Sequence, residues 1–555
     1  MELNNVKDVP SAALTHEVTP GATPDGTFDA TSDDTSVDVL IAGAGPTGLA
    51  LGIDLARRGI RALIVERQDR LSQGARGTGL QPRTQEVYDD LGVLDAVRAA
   101  GGLYPPRATW EDGRIVATHE MLEHVDPTPS TPHSNAWMIP QWRNLELLHE
   151  RLWELDGSIL FGTELIDFTQ DSDGVQARLR RTDGSVRTLR AAYLVAADGG
   201  RSTVRKALGI GMSGPSLTPS AVVLSDVAVD GLDRDHWHSW PLPNGGFVTL
   251  LPLAGTDHFQ CFTMDPDREP DTSPEAVRDR IAAGTHLARD QIREVLWASV
   301  YRPKAAMADR YRTGRVFLAG DAAHIHSPAG GQGLNTSVQD GYNLGWKLGQ
   351  VLRHGAPDAL LDSYETERRP IAARILDTST RLHRSRSMRR GKDLHQLDIG
   401  YPDSPLTREL REDVPEDALH AGDRAPDAPC TTADGTPTHL FDAFRGPHFT
   451  LLALGDTALN PASPPTGSAL PPTDPALLRT VRVGGPSPDL IDTDGHIANA
   501  YGTAPAVFLI RPDGYLALAA PAENAAAHVA ASLAHLAPSA HWEARLGAGT
   551  PQPAR

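Results

Sequence analysis

The alternation of apolar and polar residues predicts that ordered structure begins near Val37. The apolar run Val37–Ala42 is typical of a buried strand, and the periodicity after a Gly-rich turn predicts a helix that continues to Arg58. A second apolar run, Arg61–Glu66, predicts the next strand. A strand, a helix and a strand in this order form the repeating unit of a doubly wound α/β sheet. Residues 1–36 are polar and without periodicity, which predicts a disordered arm.

Two later segments have the period of two that antiparallel strands show. Leu160–Arg190 contains a turn signal at Thr182-Asp183-Gly184, and Val222–Thr263 contains another at Asn244-Gly245-Gly246. We therefore expect antiparallel sheet inserted into the α/β framework, with a substrate-binding sheet domain at 216–299.

Helical periodicity returns over Leu334–Leu352 and from Asp358 to about Arg384. These helices would close the first large unit, so residues 37–215 and 300–384 are assigned to one discontinuous domain. Residues 385–420 form a predicted linker.

A C-terminal domain is predicted over 421–546. Its expected elements are the strands Phe449–Leu454, Thr480–Val483 and Ala506–Ile510, a Pro-rich surface loop at 456–474, and a last helix over Glu523–Leu536.

Charge and cysteine content narrow the function classes. A net charge of −19 over 555 residues leaves no basic stripe, so nucleic acid is not an expected partner. Cys261 and Cys430 lie outside any metal-ligand or CxxC spacing and predict neither a disulfide scaffold nor a zinc site. The chain starts without signal-peptide features, and Asp38 and Asp54 interrupt its longest apolar stretch, so we expect a cytoplasmic protein with no membrane partner.

The strongest local motif is Gly43-Ala44-Gly45-Pro46-Thr47-Gly48, placed between the first strand and the first helix. Glycines there allow a tight turn and a close backbone approach to a pyrophosphate, and the acidic Glu66 after the next strand can bind ribose hydroxyls. The candidate dinucleotide-binding residues are Gly43, Gly45, Pro46, Thr47, Gly48, Glu66 and Arg67.

Two further motifs each follow a buried strand. Tyr193–Ser202 ends in an Asp-Gly turn at Asp198 and Gly199, and Arg315–His324 ends in a Gly-Asp pair that includes Asp321.

Together the three ordered motifs resemble those of the FAD-dependent aromatic hydroxylases. These are the group A flavoprotein monooxygenases with the para-hydroxybenzoate hydroxylase fold, and the polyketide hydroxylases of antibiotic pathways are the most similar among them. The resemblance covers roughly residues 37–384. It implies a Rossmann-like FAD-binding domain with an inserted antiparallel substrate domain, FAD as the cofactor, and NADPH or NADH as co-substrate.

The resemblance also implies residue roles. Asp198 and Gly199 would serve both FAD and NAD(P)H, and Asp321 would hold the ribityl chain. Arg76 would approach the FAD, and Gln141 matches the family's Gln before a Leu-Glu pair.

The Gly-rich segment after Pro328 would meet the flavin ring. Its candidate residues are Pro328, Gly331, Gly333, Leu334 and Asn335. Glycines let backbone amides approach a planar ring, and the positive end of the helix begun there would stabilise negative charge on reduced flavin.

Three aromatic and two histidine side chains are further candidates for substrate or metal binding. Trp237, Trp240 and Phe247 lie where the family builds its substrate pocket, and could stack on an aromatic ligand or be ordinary core residues. His324 and His326 lie close to Asp321 along the chain, but without a fourth usefully spaced ligand they predict no metal site.

The C-terminal domain resembles the thioredoxin-like domain appended to polyketide and phenol hydroxylases, most clearly at Ala506–Tyr515. Without a CxxC pair it is expected to pack or to form a homodimer contact rather than to perform dithiol chemistry.

The function that the resemblance implies is hydroxylation of an aromatic or polycyclic, polyketide-like substrate with NAD(P)H and O2, through a C4a-hydroperoxyflavin. The alternatives are a Baeyer–Villiger flavin monooxygenase, a dehydrogenase that incorporates no oxygen, and a non-catalytic flavin-binding scaffold. No residue is singled out as a catalytic base.

Overall fold

The computed structural model of the chain describes residues 36–215, 217, 221–385, 391–455 and 476–536. The predicted N-terminal arm, the Pro-rich loop at 456–474 and residues 537–546 of the expected C-terminal domain lie outside the described residues. No described helix is both long and apolar enough to span a membrane.

The main sheet begins with the strand predicted at Val37. From edge to edge its strands are Arg312–Thr313, Val316–Leu318, Val186–Ala196, Ser36–Ala42, Ala62–Val65 and Ser158–Leu160. Ser36–Ala42 pairs parallel to Ala62–Val65, as a doubly wound sheet requires. The hairpin Thr163–Gln170 and Val175–Arg181 continues antiparallel from Val186–Ala196. The alternation over 160–190 therefore belongs to the main sheet and not to the inserted one.

Two long helices pack side by side through small residues. The helix Pro46–Ala56 is mostly buried, and Gly333–His354 lies against it. A Cβ at Gly341 would meet the backbone of Thr47, and one at Gly345 would meet the carboxylate of Asp54. Because contacts advance along both helices in the same direction, the helices run parallel and their N-terminal ends lie at the same side of the sheet.

Further helices and 3-10 turns connect the strands of this region. They are Pro82–Leu91, Leu94–Ala100, Gln141–Glu154, Thr203–Ala207 and Asp362–Ser385, with 3-10 turns at Gly320–Ala322, Asp358–Leu361 and Lys392–Leu394. Small sheets join Gly79–Leu80, Trp137–Met138 and Gly102–Leu103, and Met212–Ser213, Ala306–Ala308 and His324–Ile325.

A second, antiparallel-rich sheet covers the region predicted to bind substrate. Its strand order is Ile292–Tyr301, Val222–Val229, His258–Met264, Phe247–Pro252, Trp237–Pro241, Arg107–Glu111 and Arg114–His119. The strands at 107–119 come from before the predicted start of this domain at 216. The helix Pro274–Gly284, followed by the 3-10 turn Arg289–Gln291, packs on one face through Val277 and Ile281.

The C-terminal sheet is flanked by apolar clusters. Its strand order is Arg408–Glu409, Leu516–Pro521, Ala506–Ile510, Phe449–Leu454, Leu478–Val483, Leu490–Ile491, Pro429–Thr432 and Pro437–His439. Its helices are Leu440–Phe444, His496–Tyr501 and Ala525–Leu536. Arg408–Glu409 lies within the predicted linker, so part of the linker belongs to this sheet.

A buried ionic cluster connects the C-terminal sheet to the helices Gly333–His354 and Asp362–Ser385. The Arg511 guanidinium donates to both carboxylate oxygens of Glu367, at 2.6 and 2.9 Å, and also pairs with Asp513. Lys347 donates to Glu367 at 2.7 Å. Since a desolvated charge is tolerated only when it is paired, this contact ties the C-terminal domain to the helices that border the site.

Candidate functional site

The Gly-rich loop lies where the main strand Ser36–Ala42 meets the helix Pro46–Ala56. Gly43 has a φ of 108°, a conformation that a side chain would strain, and a Cβ there would clash with the carbonyl oxygen of Ala197. Gly45 has no such neighbour, because a Cβ there would meet no protein atom within 4 Å. Gly45 therefore leaves open space at the positive end of the helix, the position that an anionic group would occupy.

Glu66 braces this loop from the next strand. Its Oε2 accepts a hydrogen bond from the backbone N–H of Ala44 at 3.0 Å, and its Oε1 accepts one from Gln68 at 3.0 Å. Glu66 thereby holds the Gly-rich loop and the segment after its own strand, and both line one cavity.

That cavity has a volume of 1520 Å³, larger than the roughly 300–1,000 Å³ of a typical single-ligand site. It runs from the Gly-rich loop to the second sheet. The predicted residues that line it are Gly43, Gly45, Pro46, Thr47, Glu66, Arg67, Arg76, Gln141, Asp198, Gly199, Asp321, Pro328, Gly331, Gly333, Leu334, Trp237 and Phe247. Three predicted residues, Gly48, Asn335 and Trp240, are not among the lining residues.

The loop that carries Arg76 is held on two sides. Gln141 Oε1 accepts hydrogen bonds from the backbone N–H groups of Arg76 and Gly77, both at 3.0 Å. On the other side, Arg76 donates to Ser299 Oγ at 3.3 Å and lies over the Trp297 ring at 6.0 Å. The sequence motif thus brings Gln141 and Arg76 together as partners, with Gln141 acting through the loop backbone.

Asp198 organises the turn after the strand Val186–Ala196. Its Oδ2 accepts from the backbone N–H groups of Thr203 and Val204, at 2.7 and 3.3 Å. Its Oδ1 is buried without a hydrogen-bond partner among the described residues. The following Gly199 has a φ of 80°, which lets the chain turn along the cavity wall.

Asp321 faces the cavity from the end of the strand Val316–Leu318. Its side chain is exposed to the cavity although protein surrounds it. Burial raises the pKa of Asp321, while the nearby charges of His324 and Arg76 oppose that rise. A carboxylate placed this way can accept hydrogen bonds from hydroxyl groups of a bound ligand.

His324 and His326 have hydrogen-bond partners other than Asp321, and His326 Nε2 lies 3.3 Å from the carbonyl oxygen of Ala372. His324 Nε2 lies 2.5 Å from Asp340 Oδ2, and both side chains are fully buried. Burial works against the charged form of Asp340, but His324 and Arg368 outweigh it and hold its pKa at about 2. Among the described side chains, no group of three or more His, Cys, Asp or Glu is arranged to hold a metal ion.

The segment after Pro328 bends around a buried amide. Asn335 Oδ1 accepts from the backbone N–H of Gln81 at 2.7 Å, and its Nδ2 donates to the carbonyls of Gly79 and Gly331 at 2.9 and 2.8 Å. The sequence predicts that Asn335 binds the cofactor, but the hydrogen bonds of its side-chain amide go to the backbone that forms the cavity wall. Gly48 is likewise absent from the cavity lining, and a Cβ there would clash with the carbonyl oxygen of Gly43.

On the second sheet, the two predicted tryptophans face opposite sides. Trp237, Ser239 and Pro241 line the cavity, whereas Trp240 packs in the apolar cluster beneath the helix Pro274–Gly284. The Trp240 indole N–H donates to His286 Nδ1 at 3.2 Å. Trp240 therefore does not line the cavity, contrary to the prediction. Residues an odd number of positions apart along a strand point to opposite faces of the sheet, so Trp237 and Trp240 cannot both face the cavity.

Sequence reasoning missed several polar side chains on the cavity face of this sheet. Arg107, Thr109, Thr249 and Gln260 line the cavity together with Trp237. The strand Arg107–Glu111 pairs parallel with Trp237–Pro241, so residues far apart along the chain become neighbours. Only the alternation within 107–111 could have signalled a strand there, and it could not have signalled its partner.

Comparison with known proteins adds independent findings. A model described as FAD binding domain matches residues 36–379, and one described as Aromatic-ring hydroxylase, C-terminal, matches residues 419–540. A flavin-dependent monooxygenase of Mycobacteroides abscessus is 42% identical over 493 residues, covering 86% of this chain and 96% of that protein. The 6-methylpretetramide 4-monooxygenase of Streptomyces rimosus is 34% identical, covering 86% of this chain and 90% of that protein.

Among solved structures, a ternary complex of aklavinone-11 hydroxylase with FAD and aklavinone matches with a TM-score of 0.73 and 30% identity. The match covers 91% of this chain and all of that chain, 100%. The likeness therefore includes the main sheet, the second sheet and the C-terminal domain.

Proposed function

The chain belongs to the FAD-dependent aromatic-ring hydroxylases and is a flavin-dependent monooxygenase, and from that premise we propose that it hydroxylates a polycyclic, polyketide-like aromatic substrate with NADPH or NADH and O2. The observation that carries the proposal is the continuous cavity. One chamber extends from the Gly-rich loop at Gly45 to an aromatic wall that includes Trp237 and Phe247. Cofactor and a planar substrate would therefore share one cavity.

The residues present fit FAD. The open space in front of Gly45, at the N-terminal end of Pro46–Ala56, suits the pyrophosphate. Glu66, which braces the loop, suits the ribose of the adenosine, and Asp321 suits the hydroxyls of the ribityl chain. Gly331 and Gly333 open the second long helix at the same cavity, where its positive end can stabilise an anionic flavin ring.

FAD, when bound, supplies the acceptance of hydride from the nicotinamide and the activation of O2. The protein's own residues bind, orient and exclude water. Arg76, whose loop is held by Gln141, would line the space for the flavin ring, and the second sheet would hold the substrate in the same cavity. The volume of the cavity favours a multi-ring substrate. At 1520 Å³ it exceeds the roughly 300–1,000 Å³ of a typical single-ligand site, which leaves space for a second ligand beside the cofactor.

The relatives' names support the substrate class. One relative is named a 6-methylpretetramide 4-monooxygenase and another an aklavinone-11 hydroxylase. Those names describe the relatives and not this chain. Their similarity runs through the second sheet, where the proposed substrate would lie.

The test is single-turnover oxygenation of the purified holoenzyme under ¹⁸O₂. The enzyme is reduced anaerobically with NADPH in the presence of a panel of phenolic polycycles and then mixed with labelled oxygen. We expect substrate-accelerated flavin reduction and one ¹⁸O atom in a ring hydroxyl of the product. Label inserted beside a ring ketone would instead establish Baeyer–Villiger chemistry, and unlabelled oxidised product would establish a dehydrogenase.

The control is Gly45→Ala, whose added methyl group would fill the space in front of the helix. It is expected to lose bound flavin and product together. Product formed without flavin would contradict the proposed function.

A further inference from the structure

Arg107 lies on the cavity face of the second sheet. In the parallel register it stands directly beside Trp237, and the next cavity-facing pair is Thr109 beside Ser239. Ser239 is in turn opposite Thr249 on the neighbouring strand. Among the cavity-lining residues on the described strands of this sheet, Arg107 is the only charged one. One cation thus stands in a wall of aromatic, aliphatic and hydroxyl side chains.

None of the described carboxylates pairs with the Arg107 guanidinium. Its Nη2 donates to Ser239 Oγ at 2.6 Å, and its buried Nε has no hydrogen-bond partner in the described part of the chain. Within the described ranges it forms no ion pair with any carboxylate, although Arg residues elsewhere in this acidic chain commonly do. Burial lowers the pKa of Arg107, but a guanidinium remains charged at neutral pH.

A partly buried cation without an anion is unfavourable, because it has lost water and gained no compensating charge. The remaining accessible side of the guanidinium is the cavity that it lines. An anionic oxygen arriving there would form a charge-assisted hydrogen bond in a poorly hydrated setting, where such bonds are strongest.

We propose that Arg107 is the anion-recognition site of the substrate cavity, so that the substrate is a planar aromatic that carries a phenolate, enolate or carboxylate oxygen. This assignment rests on the proposed function, since it places the substrate against the second sheet. Trp237 and Phe247 form the aromatic part of the same wall and suit the rings of such a molecule. The hydroxyl of Ser239 holds the guanidinium in place.

The phosphates of FAD are a poor alternative occupant. The proposed function assigns them to the Gly-rich loop and the helix beginning at Pro46, next to the main sheet. Arg107 instead lies on the second sheet, beside the aromatic ring of Trp237.

The experiment is ligand titration of the oxidised holoenzyme, followed by the change in flavin absorbance. The probes are two matched pairs, anthraquinone-2-carboxylate with its methyl ester, and 1,2-dihydroxyanthraquinone with its dimethyl ether. The first pair tests a carboxylate and the second an ionised phenol. The variants are Arg107→Met and Arg107→Lys, with Arg374→Met as the matched control, because Arg374 forms an exposed ion pair with Asp398.

Wild-type enzyme is expected to bind the anionic member of at least one pair more tightly than its neutral partner. Arg107→Met should weaken that anion roughly 10- to 100-fold, the range for a hydrogen bond to a charged group, and leave the neutral partner nearly unchanged. Arg107→Lys should retain part of the preference, and Arg374→Met all of it. Flavin content per chain shows that each variant has folded.

Equal binding of both members of each pair by the wild type, no binding of either anion, or an equal loss for both members in Arg107→Met would overturn the assignment. The proposed function fails separately. If no probe or phenolic polycycle is oxygenated while anion binding depends on Arg107, the anion site stands and the hydroxylase activity does not. If neutral polycycles are oxygenated equally well by wild type and Arg107→Met, the hydroxylase activity stands and the anion site does not.

Discussion

The carboxylate of Asp226 accepts a hydrogen bond from the backbone N–H of Ala75 at 3.1 Å, and so ties the second sheet to the residue before Arg76. Gln260, opposite Asp226 on the next strand, donates to the carbonyl of the same Ala75. The other oxygen of Asp226 is buried without a hydrogen-bond partner among the described residues. The position of the Arg76 loop therefore depends on a carboxyl group of the second sheet.

This contact predicts a pH-dependent stability. Burial raises the pKa of Asp226 to about 7, above the value near 4 of an unfolded chain. The folded protein then keeps a proton that the unfolded chain releases, so the contribution of Asp226 to stability falls as pH rises from about 4 to about 7. Asp226→Asn should remove this fall. Relative to wild type, the variant should gain on the order of 2–4 kcal/mol in unfolding free energy between pH 5 and pH 8, at about 1.4 kcal/mol per pKa unit.

The measurement is urea unfolding of wild type and variant at about five pH values in that window. Asp398→Asn is the control, since Asp398 is exposed in its pair with Arg374. A constant difference between Asp226→Asn and wild type at every pH would show that Asp226 is ionised throughout.

Gly43 and Gly45 should separate folding from cofactor binding. Gly45→Ala adds a methyl group in open space with an ordinary backbone conformation, so the flavin-free protein should unfold at an unchanged temperature. Its FAD affinity should fall at least tenfold, or about 1.4 kcal/mol, because the methyl group occupies the expected position of the pyrophosphate. Gly43→Ala should lower both the affinity and the unfolding temperature, because it strains the backbone and meets Ala197.

Calorimetry of the flavin-free proteins and titration by quenching of FAD fluorescence provide the two readouts. Normal FAD affinity in Gly45→Ala would place the pyrophosphate elsewhere.

Trp237 and Trp240 are comparably buried, at 7% and 5% exposure, yet their replacements should differ in effect. Trp237→Phe alters the cavity wall and should raise the KM for the substrate severalfold with little change in stability. Trp240→Phe removes the hydrogen bond to His286 and the stacking on Trp110, and should cost about 1–3 kcal/mol of stability. Steady-state kinetics and urea unfolding of the two variants test this. A change of KM in Trp240→Phe alone would reverse the assignment of faces.

Arg511→Met should destabilise the whole chain. The substitution leaves Glu367 and Asp513 buried with too little positive charge, which costs about 3–5 kcal/mol for a broken buried pair. Arg374→Met, the exposed control, should change stability by less than about 1 kcal/mol. Thermal unfolding monitored by flavin release and by circular dichroism should show both signals moving together. An early transition of the C-terminal domain alone would mean that the ionic cluster does not couple it to the flavin site.

Much of the candidate cofactor site could be predicted because the residues of each motif are contiguous along the chain. Gly43 to Gly48, Asp198 with Gly199, and Asp321 each lie at the end of one buried strand, so neighbours along the chain are neighbours in the site. The parallel order of the main sheet followed from the strand-helix-strand pattern, and the fold class was confirmed.

The substrate side could not be predicted in the same way. Whether a residue of a strand faces the cavity or the core depends on which strands pair and on which face a helix covers. A pattern with a period of two is the same for Trp237 and Trp240 until the helix Pro274–Gly284 is known to cover the Trp240 side.

Local periodicity and short contiguous motifs were enough to identify the family, the candidate cofactor motifs and the strand-helix-strand order at the start of the main sheet. The folded arrangement of the chain placed Arg107 beside Trp237 and Asp226 against Ala75. It also decided that Asn335 supports the cavity wall from behind. Each of these contacts joins residues far apart along the chain, and their pairing is set by sheet register and domain packing, which leave no mark on either segment alone.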